Sequence, residues 1–261
     1  MHALQIGATG MQAQQLNVEV ISNNIANMTT TGYKRQRAEF QDLLYQNVVR
    51  PGAQSSDTGS IVPSGIQIGT GVRAAAIYRI DEQGSLASTK NQLDLAITGQ
   101  GYFQVEMPNG DTAYTRAGSF QLNANGQVVT SEGYIVKPGL VVPKATSSIV
   151  INTNGQVFAK VDGTTAPVQV GQVEVATFAN NAGLEAIGNN LLLESPASGV
   201  PITGAPGALG FGTVTQGSLE GSNVNIVSEI TDLIQAQRAY EMNSKAIQTS
   251  DQMLNTVSQM H

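Results

Sequence analysis

The 261-residue chain is poor in charge: 12% of it is Asp, Glu, Lys or Arg, with 13 basic against 19 acidic residues and a formal net charge of -6, which argues against a general nucleic-acid binder. Hydrophobic residues make up 41% and can bury a core. Cysteine is absent and the two histidines are His2 and His261, which excludes disulfides, Cys-ligated zinc and thiolate nucleophiles and places both imidazoles at fraying positions.

The first segment has helical spacing. Leu4, Met11, Val18 and Ile25 recur every seven residues, with Ala8, Ile21 and Met28 beside them, a coiled-coil-like seam. Gly7 and Gly10 each weaken such a helix by about 1 kcal/mol relative to alanine, so alone it is expected to be marginal. Three β-branched threonines, Thr29 to Thr31, and then Gly32 supply its stop. The segment has neither the basic region nor the continuous apolar stretch of a secretory leader. No apolar run approaches the ~20 residues of a membrane span, so a protein that is not membrane-inserted is expected. The sequon at Asn27 reads as accidental. Lys34, Arg35 and Arg37 follow, either as a solvated face complementing the helix C-terminus or as a contact for an acidic neighbour.

Residues 50 to 71, "RPGAQSSDTGSIVPSGIQIGTG", are rich in Gly, Ser and Pro. They fit either a flexible linker or an extended arm that orders against a neighbour. Beyond them the chain reads as β. "GYFQVEMPNGDTAYTR" is a strand, an Asn109-Gly110 turn and a second strand. "SFQLNANGQVVT", with Asn125-Gly126 at its tip, is repeated by "SIVINTNGQVFA", in which Asn152, Asn154, Gly155, Gln156 and Val157 match Asn123, Asn125, Gly126, Gln127 and Val128. Two like hairpins suggest an antiparallel module that uses one turn twice. "PVQVGQVEVATF" adds alternating strand, and residues 195 to 222 are loop-rich.

The last segment answers the first. Ile226, Leu233, Tyr240, Ile247 and Leu254 again recur every seven residues, with Ala236, Asn243, Ser250 and Val257 in companion positions. Asn225 can cap the start, with Glu229 and Asp232 in the early turns. No glycine or proline interrupts Ile226 to Met260. The fold class is therefore α+β. It has a discontinuous helical coiled-coil domain from both chain ends (1-35 and 222-261), an extended connecting arm (36-75) and an antiparallel, mostly β body (76-221).

Catalytic motifs are missing. "GQGYFQ" and "GALGFG" lack the βαβ setting of a dinucleotide site. "NANGQ" and "NTNGQ" lack the carboxylates of a calcium loop. The acids are scattered and mark no glycosidase pair. No enzyme activity, catalytic residue, cofactor or metal site is expected. A periplasmic glycan-binding or glycan-cleaving β protein is the rival from another class.

Two stretches resemble the signature ends of the bacterial flagellar rod and hook family. At the N-terminal side stand Asn23, Asn24, Ile25, Ala26, Asn27, Thr31, Gly32, Tyr33 and Lys34. At the C-terminal side stand Ser222, Asn223, Val224 and Asn225, then Gln237, Arg238, Ala239, Tyr240, Glu241, Asn243, Lys245, Thr249, Asp251, Met253 and Leu254. The middle, including "DLLYQ", "PSGIQIGTGV", "ITGQGYFQV" and "AYTRAGSFQL", resembles the distal-rod branch. Tyr33 stands where phenylalanine is common, and "MHALQIGATG" has an extra glycine; neither touches the core of the motif.

The resemblance implies a structural axial subunit of the basal body that self-assembles into a helical tube. The tube would transmit torque as a drive shaft crossing the periplasm and enclose the export channel. The subunit would leave the cytosol through the flagellar type III export apparatus without a cleaved leader. Its implied partners are further copies of itself, proximal rod and hook proteins, and the outer-membrane and peptidoglycan ring proteins. The implied subunit interface is the seam Leu4, Met11, Val18, Ile25 with Ile226, Leu233, Tyr240, Ile247 and Leu254. Asn23, Asn24, Asn27 and Thr31 would satisfy backbone ends where helices meet neighbours, and Lys34 and Arg35 would contact the next subunit. Residues 50 to 64 would be a stiffening arm. A proximal-rod or hook-type subunit is the near alternative.

Overall fold

The computed structural model describes residues 2–51, 64–161 and 166–259; most of the expected stiffening arm, residues 50 to 64, lies outside them. The chain opens with α1 (His2–Ala26). Four strands follow: β1 (Gln36–Asp42), β2 (Tyr45–Val49), β3 (Ile66–Gly69) and β4 (Val72–Arg79). Next come β5 (Leu86–Ser88), β6 (Leu95–Thr98), β7 (Tyr102–Glu106), β8 (Thr112–Thr115), β9 (Gln121–Leu122), β10 (Val128–Val129) and β11 (Ile135–Val136). The remaining strands are β12 (Thr146–Ile151), β13 (Gln156–Val161), β14 (Val168–Gln172), β15 (Val175–Thr177), β16 (Glu185–Gly188), β17 (Leu191–Leu193), β18 (Ile202–Gly204), β19 (Thr213–Gln216) and β20 (Ser218–Glu220). The described chain closes with α2 (Ile226–Gln259), the uninterrupted helix that its spacing predicts.

The chain divides into two units. One takes residues 1–25, 36–78 and 226–261; the other takes 26–35 and 79–225. In the first, both terminal helices join the strands that follow α1. There β1 pairs with β4, and β2 pairs antiparallel with β3 in the register Tyr45↔Gly69 to Val49↔Ile66. The stretch expected as an extended arm is thus a strand-paired ribbon along its described length. Its strands are mostly exposed.

The second unit holds the hydrophobic core. Its largest sheet runs β16-β17-β8-β7-β11-β10-β9, with β15 and then β18 joined at β7. The Asn109-Gly110 turn connects β7 to β8 as expected, in the register Phe103↔Thr115 to Glu106↔Thr112. Alternation along β7 puts Phe103 and Val105 on opposite sides from Tyr102 and Gln104, yet all four are buried. The larger cluster gathers Phe103, Phe120, Val128, Val157 and Val173, with the Phe103 and Phe120 rings edge to face at 5.1 Å. A smaller one packs Phe178 against Tyr102 and Tyr114.

The internal repeat is real at atomic detail. The Asn123 amide donates to Gln127 O at 3.0 Å, and the Asn152 amide donates to Gln156 O at 3.0 Å. Gly126 N donates to Asn123 O at 2.9 Å, matched by Gly155 N to Asn152 O at 2.9 Å. The likeness extends past the hairpins. Gly126 O accepts from Val142 N at 2.7 Å, and Gly155 O accepts from Val173 N at 2.8 Å. Each copy is therefore met by a returning segment that donates to its turn glycine, and Val128, Val142, Val157 and Val173 all enter one core cluster.

Candidate assembly site

The two helices meet along a line of small residues. A Cβ on Gly7 would stand 2.8 Å from Ile247 Cγ1, and one on Gly10 would stand 2.9 Å from Asn243 Nδ2. Further along, Asn24 Nδ2 donates to Glu229 Oε2 at 3.0 Å. Gly7 faces Ile247, Gly10 faces Asn243 and Asn24 faces Glu229, so a step forward on α1 is a step back on α2: the helices run antiparallel. The glycines that weaken α1 as an isolated helix are the positions where the other backbone comes closest. A neighbouring glycine, Gly71 (φ +127°), brings the start of β4 against Thr9, whose Oγ1 accepts from Val72 N at 3.4 Å.

Asn24 pins this unit where α1 ends. Its side-chain amide imitates a strand backbone. Oδ1 accepts from Gln36 N at 2.8 Å, and Nδ2 donates back to Gln36 O at 2.8 Å. The second Nδ2 hydrogen goes to Glu229. One side chain therefore ties the end of α1, the first residue of β1 and the first turn of α2. Asn24 and Glu229 are each 1% exposed. Unpaired, such groups would carry a large desolvation cost, which their pairing offsets.

In the other unit, Glu220 at the end of β20 is fully buried and takes two cations. Lys34 Nζ lies 2.8 Å from Oε1, and Arg116 Nε lies 2.5 Å from Oε2. Gly84 N donates to Oε1 at 2.9 Å. Further donors of both cations meet backbone carbonyls. Lys34 donates to Glu82 O at 2.7 Å, and Arg116 donates to Ile97 O at 3.1 Å, to Gly99 O at 2.6 Å and to Gly101 O. Asn223 works beside this knot, its Oδ1 accepting from Arg35 N at 2.7 Å and its Nδ2 donating to Ile80 O at 3.0 Å. Burial pushes the Glu220 carboxyl up. The Arg116 charge, the hydrogen bonds from Lys34 and Arg116 and the Lys34 charge outweigh that and hold its pKa below the ordinary carboxylate value.

The structure sorts the residues expected at the interface. Leu4, Met11, Val18 and Ile25 are half-buried, flanking a line whose buried members are Gly7, Ala13, Val20, Ile21 and Asn24. Leu233 and Ile247 on α2 are half-buried, while Ile226, Tyr240 and Leu254 are exposed. Small residues allow the closest approach at Gly7, Gly10 and Ala236, while Val20 and Ile21 supply the large buried apolar side chains of α1. Asn24 and Lys34 are buried inside the chain, bonded to Glu229 and Glu220. Asn23 is exposed; Asn27, Thr31 and Arg35 are intermediate. Within the basic cluster, the Lys34 charge is spent on an internal carboxylate. The helix also ends earlier than the threonine run predicts, at Ala26. Gly32 (φ +69°) instead turns the chain tightly against the Arg116–Ala117 peptide, with its N–H donating to Glu220 O at 2.8 Å. Glu220, Arg116 and Glu229 were absent from the expected set.

Among the described residues no three His, Cys, Asp or Glu side chains group as metal ligands, and no helix is long and apolar enough to cross a membrane. Asn24, Glu229 and Glu220, each no more than 1% exposed, brace one segment of chain against another. Three family models match. They are the flagella basal body rod protein over residues 4–34, the flagellar hook protein FlgE/F/G D1 domain over 96–159 and the flagellar basal body rod FlgEFG protein C-terminal over 215–260. The chain is 58% identical to the flagellar basal-body rod protein FlgG of Caulobacter vibrioides, over 100% of this chain and 99% of that one. It is 47% identical to that of Borreliella burgdorferi over 100% and 98%, and 39% identical to that of Bacillus subtilis over 97% of each. The chain belongs to the flagellar basal-body rod protein family.

Proposed function

We propose that the chain is the distal-rod subunit of the flagellar basal body, polymerising into a helical tube that serves as drive shaft and encloses the export channel. The observation that carries this reading is the antiparallel pairing of the two chain ends through Gly7, Gly10 and Asn24. It makes one rod-shaped element from the extremities, while the hydrophobic core lies in residues 79–225. In the tube the helical domain, residues 1–35 with 222–261, forms a coiled-coil inner layer. The segment 36–75 is a connecting arm between subunits, and 76–221 is the outer body. Leu4, Met11, Val18, Ile25, Tyr240 and Leu254 complete their burial against other copies, with Asn23, Asn27, Thr31 and Arg35 at the junctions. Proximal rod and hook proteins abut the two ends, and ring proteins surround the shaft.

The test is the basal body of a strain deleted for this chain. Electron micrographs should show the proximal rod present and the distal rod and hook missing. A complete rod in that strain overturns the proposal. Loss of the hook alone, or of the whole rod, would assign the chain to the hook or to the proximal rod.

A further inference from the structure

The two turns of the internal repeat are covered differently. Over the second lies the segment 205 to 216. Pro206 packs on Gly155, where a Cβ would meet its Cγ at 2.8 Å, and Val214 N donates to Thr153 O at 3.0 Å. Gln216 Oε1 accepts from Ile151 N at 3.0 Å, and Ile151 is 9% exposed. The matching residues of the first repeat, Leu122, Ala124 and Gly126, line an open groove of about 720 Å³. Leu122, which stands where Ile151 stands, is 41% exposed. Among the described residues nothing donates to Ala124 O, the counterpart of Thr153 O.

The groove carries charge of one sign. Lys90 and Lys144 line it and no Asp or Glu does. Among the described residues neither lysine has a carboxylate within ion-pair distance. Lys90 is held at φ +60°, a left-handed conformation uncommon for lysine, with its N–H donating to Gly217 O at 3.2 Å. We propose that this groove binds an extended acidic peptide segment of a partner protein, seated as 205 to 216 is seated on the second repeat. The covered repeat sets the shape of the occupant: a backbone N–H for Ala124 O and an apolar side chain over Leu122. The two lysines set its charge, since carboxylates complement them and a basic segment meets repulsion. The chain's own cover, "APGALGFGTVTQ", has no acid and is already spent on the second repeat. The groove lies within residues 79–225 and does not rest on the rod-subunit reading.

The probe is a synthetic peptide of residues 205 to 216 carrying Ala208→Asp and Leu209→Asp, two positions that are exposed in the chain. It is titrated into the isotope-labelled full chain, and amide chemical shifts are followed. Saturable shifts are expected at Lys90, Leu122, Ala124 and Lys144. Lys90→Glu combined with Lys144→Glu should raise the dissociation constant about tenfold, and the peptide with Ala208→Lys and Leu209→Lys should bind the unaltered chain about tenfold more weakly than the acidic one. This peptide comparison decides even if the double variant fails to fold. No saturable binding, shifts confined to residues 149 to 155, or equal binding of the two peptides overturns the proposal. Self-association of the peptide-free chain that the two glutamates abolish would also overturn it, by putting a second copy in the groove.

Discussion

Glu220 draws three separated stretches of chain together: the segment after α1 through Lys34, the strand turn through Arg116 and the loop before β5 through Gly84. Removing one partner of a buried ion pair strands the others, at a cost of about 3–5 kcal/mol. Glu220→Ala should therefore lower unfolding stability by that amount in urea titrations. The pH dependence follows from the depressed pKa. In the unfolded chain this carboxyl titrates at its ordinary value, and in the folded chain it titrates lower. Its contribution is then complete above the ordinary carboxylate range and is lost as pH falls from there through the folded value. Glu220→Gln should flatten the acid limb of a stability-versus-pH curve while leaving the neutral-to-basic limb parallel to wild type. An unchanged acid limb would show that the carboxylate charge contributes nothing to the knot.

Among the elements, the two matched hairpins and the β7–β8 turn allow a controlled comparison of glycines. Gly110, Gly126 and Gly155 have φ of +88°, +81° and +75°. A Cβ on Gly110 meets nothing within 4 Å, whereas on Gly126 it meets Val142 O at 2.4 Å and on Gly155 Val173 O at 2.8 Å. Gly110→Ala should cost only the left-handed backbone penalty of roughly 1–2 kcal/mol. Gly126→Ala and Gly155→Ala should cost more, because a carbonyl that also accepts a hydrogen bond must give way. Equal losses for all three would refute the packing argument. In the helix pair, Gly7→Val forces a branched side chain onto Ile247 and should cost about 1–3 kcal/mol by overpacking. Gly7→Ala should be milder, since the helix-propensity gain of about 1 kcal/mol offsets displacement of a flexible Ile side chain. Melting of the helical circular dichroism signal measures both.

These elements also mark what the sequence makes legible. The Asn-Gly hairpins are written in local turn chemistry, and α2 in an unbroken helical run, so both stand where the pattern puts them. The seam positions are read less well, because a seven-residue spacing of large apolar residues carries no information about closest approach. That line is set by Gly7, Gly10 and Ala236. The ion knot is illegible for a different reason. Glu220 lies 186 positions from Lys34 and 104 from Arg116, and no local spacing links them. Its faint trace is a lone acid in the small-residue stretch "GSLEGS".

For the whole molecule, the unequal distribution of burial sets the order of unfolding. All three hydrophobic clusters lie within residues 79–225. On α2, by contrast, the buried residues are Glu229 and Ala236 among the described positions. Two helices whose buried apolar side chains are Ala13, Val20, Ile21 and Ala236 have little apolar area to offset the entropy of ordering them. Heating the isolated monomer should therefore give two transitions. The first, seen in far-ultraviolet circular dichroism, is loss of α1 and α2. The second is loss of the β body, and only it should carry the near-ultraviolet signal of Tyr102 and Tyr114, which are packed around Phe178. In the proposed assembly the first transition should rise and the second stay nearly in place, because any copy that covers exposed apolar residues of the helices would stabilise them by mass action. A single transition common to both probes in the monomer would mean that the helices share the stability of the core, and would remove the reason to expect polymerisation to act on the chain ends first.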